Sequence, residues 1–267
     1  MFSAAAREHH SSDLSVVAGT SILERRAKLR LRDIAFGGAA CAALSWALLA
    51  GGADAQPMIN GHPDFSGLWQ CRTNCGNGVL LPHDKLDITP EGVRLYAIKK
   101  AGVDRGDPAI DTGLMCHPLG IPRLAMFGTF DILQKDDHIA ILGEWLGPGR
   151  EIYFANQHRK DYFPTFMGDS IGRWEGNTLV IDTTNIDEET LVDSSGFPHS
   201  DELHFVERWT MSPDGKTITS AWTLTDPKIF KTTFQRNVVY ARKDATDEKQ
   251  RIVENVCQNV EVGGKLR

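Results

Sequence analysis

The chain has 267 residues, with 29 Lys and Arg against 35 Asp and Glu, and a formal net charge of −6 at pH 7. No basic stripe or cluster of Lys and Arg occurs after residue 55, which argues against binding to nucleic acid and to anionic membrane surfaces. The length is sufficient for one well-buried domain, with or without a tail.

The first 55 residues predict an export signal. Arg and Lys are concentrated between positions 25 and 32, an apolar run extends from Ile34 to Ala50, and Ala53-Asp54-Ala55 offers a cleavage site before Gln56. A membrane anchor is the alternative, because the run is about as long as the shortest spanning helix. We expect residues 1–55 to be a signal peptide, so that the mature protein is periplasmic or secreted and has no membrane contact after cleavage.

The cysteines predict disulfide bonds. Cys41 leaves with the leader, and the four that remain allow three connectivities, of which we favour Cys71–Cys75 and Cys116–Cys257. Cys71 and Cys75 lack the second close pair that a zinc site needs, so no metal is expected. The sequence also has no P-loop and no G-x-G-x-x-G, so no cofactor is expected.

Short strands dominate the predicted elements after the leader. One helix is predicted over Leu86–Lys100, with Thr89 as its cap and Pro90 at its first position. The strands are predicted at Phe65–Trp69, Phe127–Gln134, His138–Trp145, Arg150–Asn156, Ser170–Trp174, Thr178–Thr183, Glu202–Met211, Thr217–Thr225 and Phe234–Ala241.

This order of elements predicts an all-β fold. Strands at hairpin spacing with no regular helix between them are typical of an antiparallel barrel or sandwich rather than a βαβ fold. The Gly67-Leu68-Trp69 start is reminiscent of lipocalin-like barrels. We therefore expect an antiparallel lipocalin-like β-barrel over residues 56–245 with one or two short peripheral helices. Residues 246–267 would be a C-terminal tail tied back by Cys257.

Glu207 is the leading catalytic candidate. One face of Glu202–Met211 carries Leu203, Phe205, Glu207 and Trp209, and a barrel of about eight strands can enclose one small ligand. If the aromatic face points inward, burial would raise the pKa of Glu207 and let it act as an acid or base near neutral pH. The alternative is a structural ion pair with a neighbouring Arg.

Other side chains are weaker candidates for the same site. His199, in a loop before that strand, is a candidate general base, and Tyr153 is a candidate hydrogen-bond donor to a substrate oxygen. A guanidinium matches a substrate carboxylate bidentately. Structural roles explain all these residue types as well: a solvated loop His, a core Tyr, ion-paired arginines and packed tryptophans. The candidates for substrate binding are Arg123, Arg150, Arg208 and Trp174.

A match to G-x-S-x-G occurs at residues 168–172, but a nucleophile elbow needs a strand before it and a helix after it. Here Ser170 opens a predicted hairpin, so we interpret the match as accidental. A hydrolase that uses His199 with Asp201 is a further alternative, although no nucleophile accompanies that pair.

Several motifs together resemble a large family of exported bacterial proteins that mostly lack assigned function. They cover about residues 60–260: Pro63-Asp-Phe-Ser-Gly-Leu-Trp69, Cys116-x-Pro-x-Gly-x-Pro-Arg123, Gly168-x-Ser-x-Gly-Arg-Trp-Glu-Gly176, Thr178-Leu-Val-Ile-Asp-Thr183, Pro198-His-Ser200, Glu207-Arg208 and Thr225-Asp-Pro227. The sequence departs from the usual pattern where Asn156-Gln157-His158-Arg159 replaces Asp-Gly-Arg, Asp169 replaces His, and Asn177 replaces Asp.

Some relatives in that family are associated with the breakdown of lignin-derived phenolic dimers. The resemblance implies a cofactor-independent lyase that releases carbon dioxide or formaldehyde from the side chain of a small phenolic substrate. A periplasmic lipocalin-like carrier of a small hydrophobic ligand, using the same barrel cavity, is the alternative. Either reading implies a small aromatic partner and no nucleic acid, and a homodimer is allowed.

Overall fold

Nine strands close into one barrel in a computed structural model, which describes residues 56–75, 86–144 and 149–253. A short hairpin of β1 (Met58–Ile59) and β2 (His62–Pro63) precedes the barrel. The barrel strands are β3 (Gly67–Thr73), β4 (Thr129–Gln134), β5 (His138–Gly143), β6 (Arg150–Phe154), β7 (Asp169–Glu175), β8 (Thr178–Thr184), β9 (His204–Met211), β10 (Thr217–Thr225) and β11 (Phe234–Arg242). The predicted all-β barrel is thus confirmed.

One pair of neighbouring strands departs from the predicted antiparallel pattern. Strands β6 and β7 run parallel, with Ile152 opposite Ser170 and Phe154 opposite Gly172, so the barrel is mixed. The segment 155–168 between them crosses over instead of forming a hairpin, and every other neighbouring pair in the barrel is antiparallel. The sequence held no signal for this pair, because parallel pairing depends on the path of the crossover and not on the strand residues.

Local sequence patterns correctly predicted where the hairpins lie and which of their side chains face inward. Strand β10 occupies the predicted range and buries Ile218, Trp222 and Leu224 as its alternation requires. The β7–β8 turn is also where it was predicted, and Gly176 has a φ of 60°, which glycine adopts without steric cost.

A single α-helix, α1 (Pro90–Asp104), occurs among the described residues. Thr89 caps it by accepting a hydrogen bond from the backbone of Gly92 at 3.0 Å, as predicted, and the helix continues to Asp104 rather than ending at Lys100. Short 3₁₀ turns occur at Thr112–Met115, Arg123–Met126 and Glu248–Gln250. None of the helices in the described ranges has the length and apolar character needed to cross a membrane.

Large aromatic side chains fill most of the barrel interior. Packing between them is directional, because Phe205 meets Trp222 edge-on at 5.2 Å and Phe130 meets Tyr240 edge-on at 5.0 Å. The largest fully buried members are Trp69, Trp209, Trp222, Tyr240, Phe65 and Phe205. A polar group that lies among these rings is therefore held in a largely apolar environment.

The disulfide predicted between Cys71 and Cys75 is present. Cys116 is also disulfide-bonded, but its expected partner, Cys257, lies outside the described residues. The predicted signal peptide and the end of the predicted tail, residues 254–267, lie outside them as well.

Candidate functional site

Glu207 and Arg150 form an ion pair inside the barrel. Arg150 Nη1 lies 2.5 Å from Glu207 Oε2, and the two side chains are 4% and 0% exposed. The register of β9 places Glu207 between Ile181 on β8 and Trp222 on β10, on the inward face that the alternation predicted. The carboxylate thus lies in the apolar setting that the leading prediction required, and it also has the arginine partner that the structural alternative required.

Two hydroxyl groups hold the other edge of the Arg150 guanidinium. Nε donates to Ser170 Oγ at 3.2 Å, and Nη2 donates to Thr183 Oγ1 at 2.9 Å. These two hydroxyls are themselves 2.9 Å apart and buried. Ser170 of the G-x-S-x-G match is thus a hydrogen-bond partner of the arginine and not a nucleophile at a strand-to-helix turn.

A small chamber of about 40 Å³ adjoins the ion pair. Besides Arg150 and Glu207, its lining includes Glu144 and is otherwise mostly apolar and aromatic. Trp209 Nε1 donates to Glu207 Oε1 at 3.3 Å, which orients the carboxylate from a second side.

Residues 119–127, which we call the capping segment, form part of the wall of the chamber. The segment contains the 3₁₀ turn Arg123–Met126 and contributes Ile121, Leu124 and Ala125 to the lining. Tyr240 Oη donates to the carbonyl of Ala125 at 3.0 Å and so fastens this segment to β11. Burial raises the pKa of Tyr240 well above its ordinary value, and the Glu207 charge adds to that rise, so the hydroxyl remains protonated.

His199 is not on a solvent-exposed loop tip. Its side chain is buried, its Nδ1 lies 3.0 Å from the carbonyl oxygen of Ser200, and its Nε2 lies 2.7 Å from Thr190 Oγ1. Burial lowers the pKa of His199 below its ordinary value, since a charged imidazolium would lose its hydration there. The ring thus ties the 190–200 segment together.

Arg123 and Arg208 have carboxylate partners away from the chamber. Arg123 is buried and bonds both oxygens of Asp111, at 2.8 and 3.0 Å, and also contacts Ser194. Arg208 lies on the outer face of β9 and pairs with Glu175 at 2.6 Å, where both side chains are well exposed. These pairs match the structural alternative that the sequence left open.

Tyr153 and Trp174 lie at two further places. Tyr153 is on the outer face of β6, where its hydroxyl donates to Glu151 at 2.7 Å. Trp174 stacks on His62 with ring centroids 4.4 Å apart, and it borders a separate cleft of about 420 Å³. Of the seven candidate site residues, the structure brings together Glu207 and Arg150.

Sequence reasoning missed two features. One is Tyr240, which alternation on β11 would have placed inward with Val238. The other is an outer-face cluster in which His158 bridges two carboxylates, with Nδ1 3.1 Å from Asp169 Oδ2 and Nε2 3.0 Å from Asp182 Oδ1. His204 Nε2 reaches the same Asp182 oxygen at 2.7 Å. The alternation on β9 already placed His204 outward, but nothing local indicated its partner.

Within the described ranges, no group of three or more His, Cys, Asp or Glu has the arrangement that would hold a metal ion. Comparison with protein-family models gave no match, and comparison with curated proteins gave none either.

Proposed function

We propose that the protein is a cofactor-independent carbon–carbon lyase that acts on a small phenolic substrate at the Arg150–Glu207 chamber. The observation that carries this proposal is a fully buried carboxylate and its guanidinium partner beside a chamber with largely apolar walls. A buried ion pair contributes little net stability relative to an apolar pair of the same volume. Its position beside a chamber therefore favours a role in binding or chemistry.

The two charged groups suit the chemistry that the family resemblance implies. Glu207 would take the proton of the phenolic hydroxyl and give it to an oxygen leaving group on the side chain, which the ring electrons expel to form a quinone methide. The carbon–carbon bond then breaks, either from the substrate carboxylate with release of carbon dioxide or from the hydroxymethyl group, whose hydroxyl proton passes to Glu207, with release of formaldehyde. The electron pair of that bond restores the aromatic ring and leaves an alkene. Arg150 would pair with the anionic oxygen in a site from which water is excluded.

We propose that the capping segment moves when substrate binds. The chamber of about 40 Å³ is far smaller than the roughly 300–1,000 Å³ of pockets that hold drug-sized ligands. The segment is fastened by the Tyr240–Ala125 hydrogen bond, which makes Tyr240→Phe the variant of choice for loosening it. If opening of the segment limits the rate, this variant should bind substrate faster and keep the ion pair.

The mostly apolar lining favours a second candidate, a carrier of a small hydrophobic ligand. In that case Glu207 and Arg150 would be a structural pair, and binding would occur without turnover.

Under either candidate we propose that the chain is exported, on the strength of its basic flank, apolar run and Ala53-Asp54-Ala55. Amino-terminal sequencing of the exported protein should then begin at Gln56.

A turnover assay without added cofactor or metal tests the lyase. The purified protein is incubated with phenolic dimers that carry a side-chain carboxyl or hydroxymethyl group, and mass spectrometry follows the loss of carbon dioxide or formaldehyde. Glu207→Gln should abolish turnover, whereas Glu175→Gln, an exposed carboxylate on the outer face, should leave it unchanged. Circular dichroism of both variants separates loss of chemistry from loss of fold.

Each outcome decides between the candidates. Turnover that depends on Glu207 supports the lyase, and binding of the dimers without turnover supports the carrier. Full turnover by Glu207→Gln would contradict the role of the chamber. If the dimers are neither bound nor turned over, phenolic dimers are the wrong class of substrate.

A further inference from the structure

A second, larger site lies on the outside of the barrel, along the parallel pair β6–β7. It is a groove of about 870 Å³, which we call the outer groove, between the outer faces of β5, β6 and β7 and the crossover segment 155–168. Its size falls within the range of pockets that hold small organic ligands, roughly 300–1,000 Å³. The lining residues used below are Leu142, Glu151, Tyr153, Arg159, Tyr162, Phe166 and Asp169.

The Arg159 guanidinium is held in place at this groove by two neighbours. Its Nε donates to Asp169 Oδ1 at 2.7 Å, and its backbone N–H donates to Asp169 Oδ2 at 2.9 Å. Its central carbon lies 3.4 Å from the ring centroid of Tyr162, which fixes the plane of the guanidinium. The side chain is still 54% exposed, so its outer edge remains open to a second acceptor.

Asp169, which holds the Arg159 guanidinium in place, is itself fixed by burial and by a second hydrogen-bond partner. Its side chain is only 5% exposed, and it also accepts a contact from His158, which is linked in turn to Asp182. Burial alone would raise the pKa of Asp169, but the hydrogen bonds from Arg159 and His158 outweigh burial and lower it. Asp169 therefore stays ionised and keeps the guanidinium oriented, so little further ordering is needed when a ligand binds.

The walls of the groove are apolar and aromatic. Leu142 and Tyr153 are 44% and 45% exposed, and both line the groove, so they present apolar and aromatic surface to it. Phe166 adds a further ring, which packs against His117 at 5.7 Å. Together with the fixed guanidinium, these surfaces match a ligand that has a flat ring and a single carboxylate.

We propose that the outer groove is a binding site for a small aromatic monocarboxylate, whose carboxylate pairs with Arg159 and whose ring packs against Tyr153 and Phe166. Glu151 also lines the groove, and its negative charge disfavours a second carboxylate on the ligand. This site is separate from the Arg150–Glu207 chamber and does not depend on the lyase proposal.

Calorimetric titration of the purified full chain with benzoate tests the site. Benzamide, which has the same shape without the charge, and terephthalate, which has a second carboxylate, should each bind at least about tenfold more weakly. Arg159→Gln should weaken benzoate binding by a similar factor. Arg208→Gln is the matched control, because that arginine is also exposed and paired with a carboxylate but lies outside the groove.

Two further variants keep the test decisive. Leu142→Asp places a negative charge on an exposed wall position and should weaken benzoate binding even if Arg159→Gln does not fold. Glu207→Gln should leave benzoate binding unchanged, because it alters the chamber alone. The proposal is overturned if benzoate does not bind the wild-type chain, if folded Arg159→Gln or Leu142→Asp binds it as well as wild type, or if Glu207→Gln abolishes binding although circular dichroism shows that it is folded.

Discussion

Arg150 Nη1 lies 2.5 Å from Glu207 Oε2, and the fold leaves at most 4% of either side chain exposed. Arg150 is on β6 and Glu207 is on β9. These two strands are not neighbours in the barrel, so the ion pair spans the interior. Ser170 and Thr183 bond the guanidinium, and Trp209 bonds the carboxylate. The pair is therefore held by the barrel as a whole.

Removing one member of this pair should destabilise the protein strongly. Glu207→Ala leaves an uncompensated guanidinium in an apolar interior, which costs about 3–5 kcal/mol of the free energy of unfolding. The double variant Arg150→Met/Glu207→Leu should recover most of that loss, because it removes both charges. Urea denaturation of Arg150→Met, Glu207→Leu and the double variant measures the coupling between the two side chains. A loss below about 1 kcal/mol for Glu207→Ala would mean that the arginine reaches water in the folded state.

Substitution of Arg123 and of Arg208 by alanine should reduce the stability of the protein by very different amounts. Arg123→Ala breaks a buried bidentate pair with Asp111 and should cost about 3–5 kcal/mol of stability. Arg208→Ala breaks an exposed pair with Glu175 and should cost no more than about 1 kcal/mol. Denaturant titrations of both variants check this contrast, and equal losses would contradict the assignment of Arg123 to a structural role.

Stability should depend on pH through the outer-face cluster. The hydrogen bond to Asp182 raises the pKa of His204 above its ordinary 6.5, so this pair stabilises the fold below pH 6.5 and loses its effect as pH rises through the raised pKa. Burial would raise the pKa of Asp182, but hydrogen bonds from His204 and His158 outweigh burial and lower that pKa below 3.8. The contribution of Asp182 is present above pH 3.8 and is lost as pH falls through the lowered pKa.

His204→Gln isolates this effect. The difference in unfolding free energy between wild type and this variant should be largest from about pH 4 to 6.5 and should shrink above that range. Urea titrations at several pH values provide the measurement, with Arg208→Gln as a control on the same face of β9. A difference that stays constant from pH 5 to 9 would contradict a charged His204–Asp182 pair.

Two glycines have positive φ values, and their substitution by alanine should reduce stability by different amounts. Gly168 has a φ of +67°, and an added Cβ would lie 2.6 Å from the carbonyl oxygen of Thr184. Gly176 has a φ of +60°, but an added Cβ would meet nothing within 4 Å. Gly176→Ala should cost about 1–2 kcal/mol for its conformation alone.

Gly168→Ala should cost clearly more than Gly176→Ala, because the start of β7 must also shift away from β8. Thermal and urea unfolding of the two variants provide the comparison. Equal losses would mean that the backbone at Gly168 relaxes freely.

Much of the fold could be predicted because the relevant signals are local. Alternation along Thr217–Thr225 decides which side chains face inward, and the turn around Gly176 joins two strands within a few residues. The cap at Thr89 and the disulfide between Cys71 and Cys75 are equally local. The sequence therefore determined the class of the fold, the inward face of β9 and the burial of Glu207.

Only the tertiary structure decided which charged groups meet. Arg150 and Glu207 are distant in the sequence, and closure of the barrel makes them partners. The parallel pairing of β6 and β7 places segment 155–168 on the outer face, where His158 reaches Asp169 and Asp182. The physical reason is that strand periodicity specifies which way a side chain points, whereas its partner depends on strand order and register, and these are properties of the closed barrel.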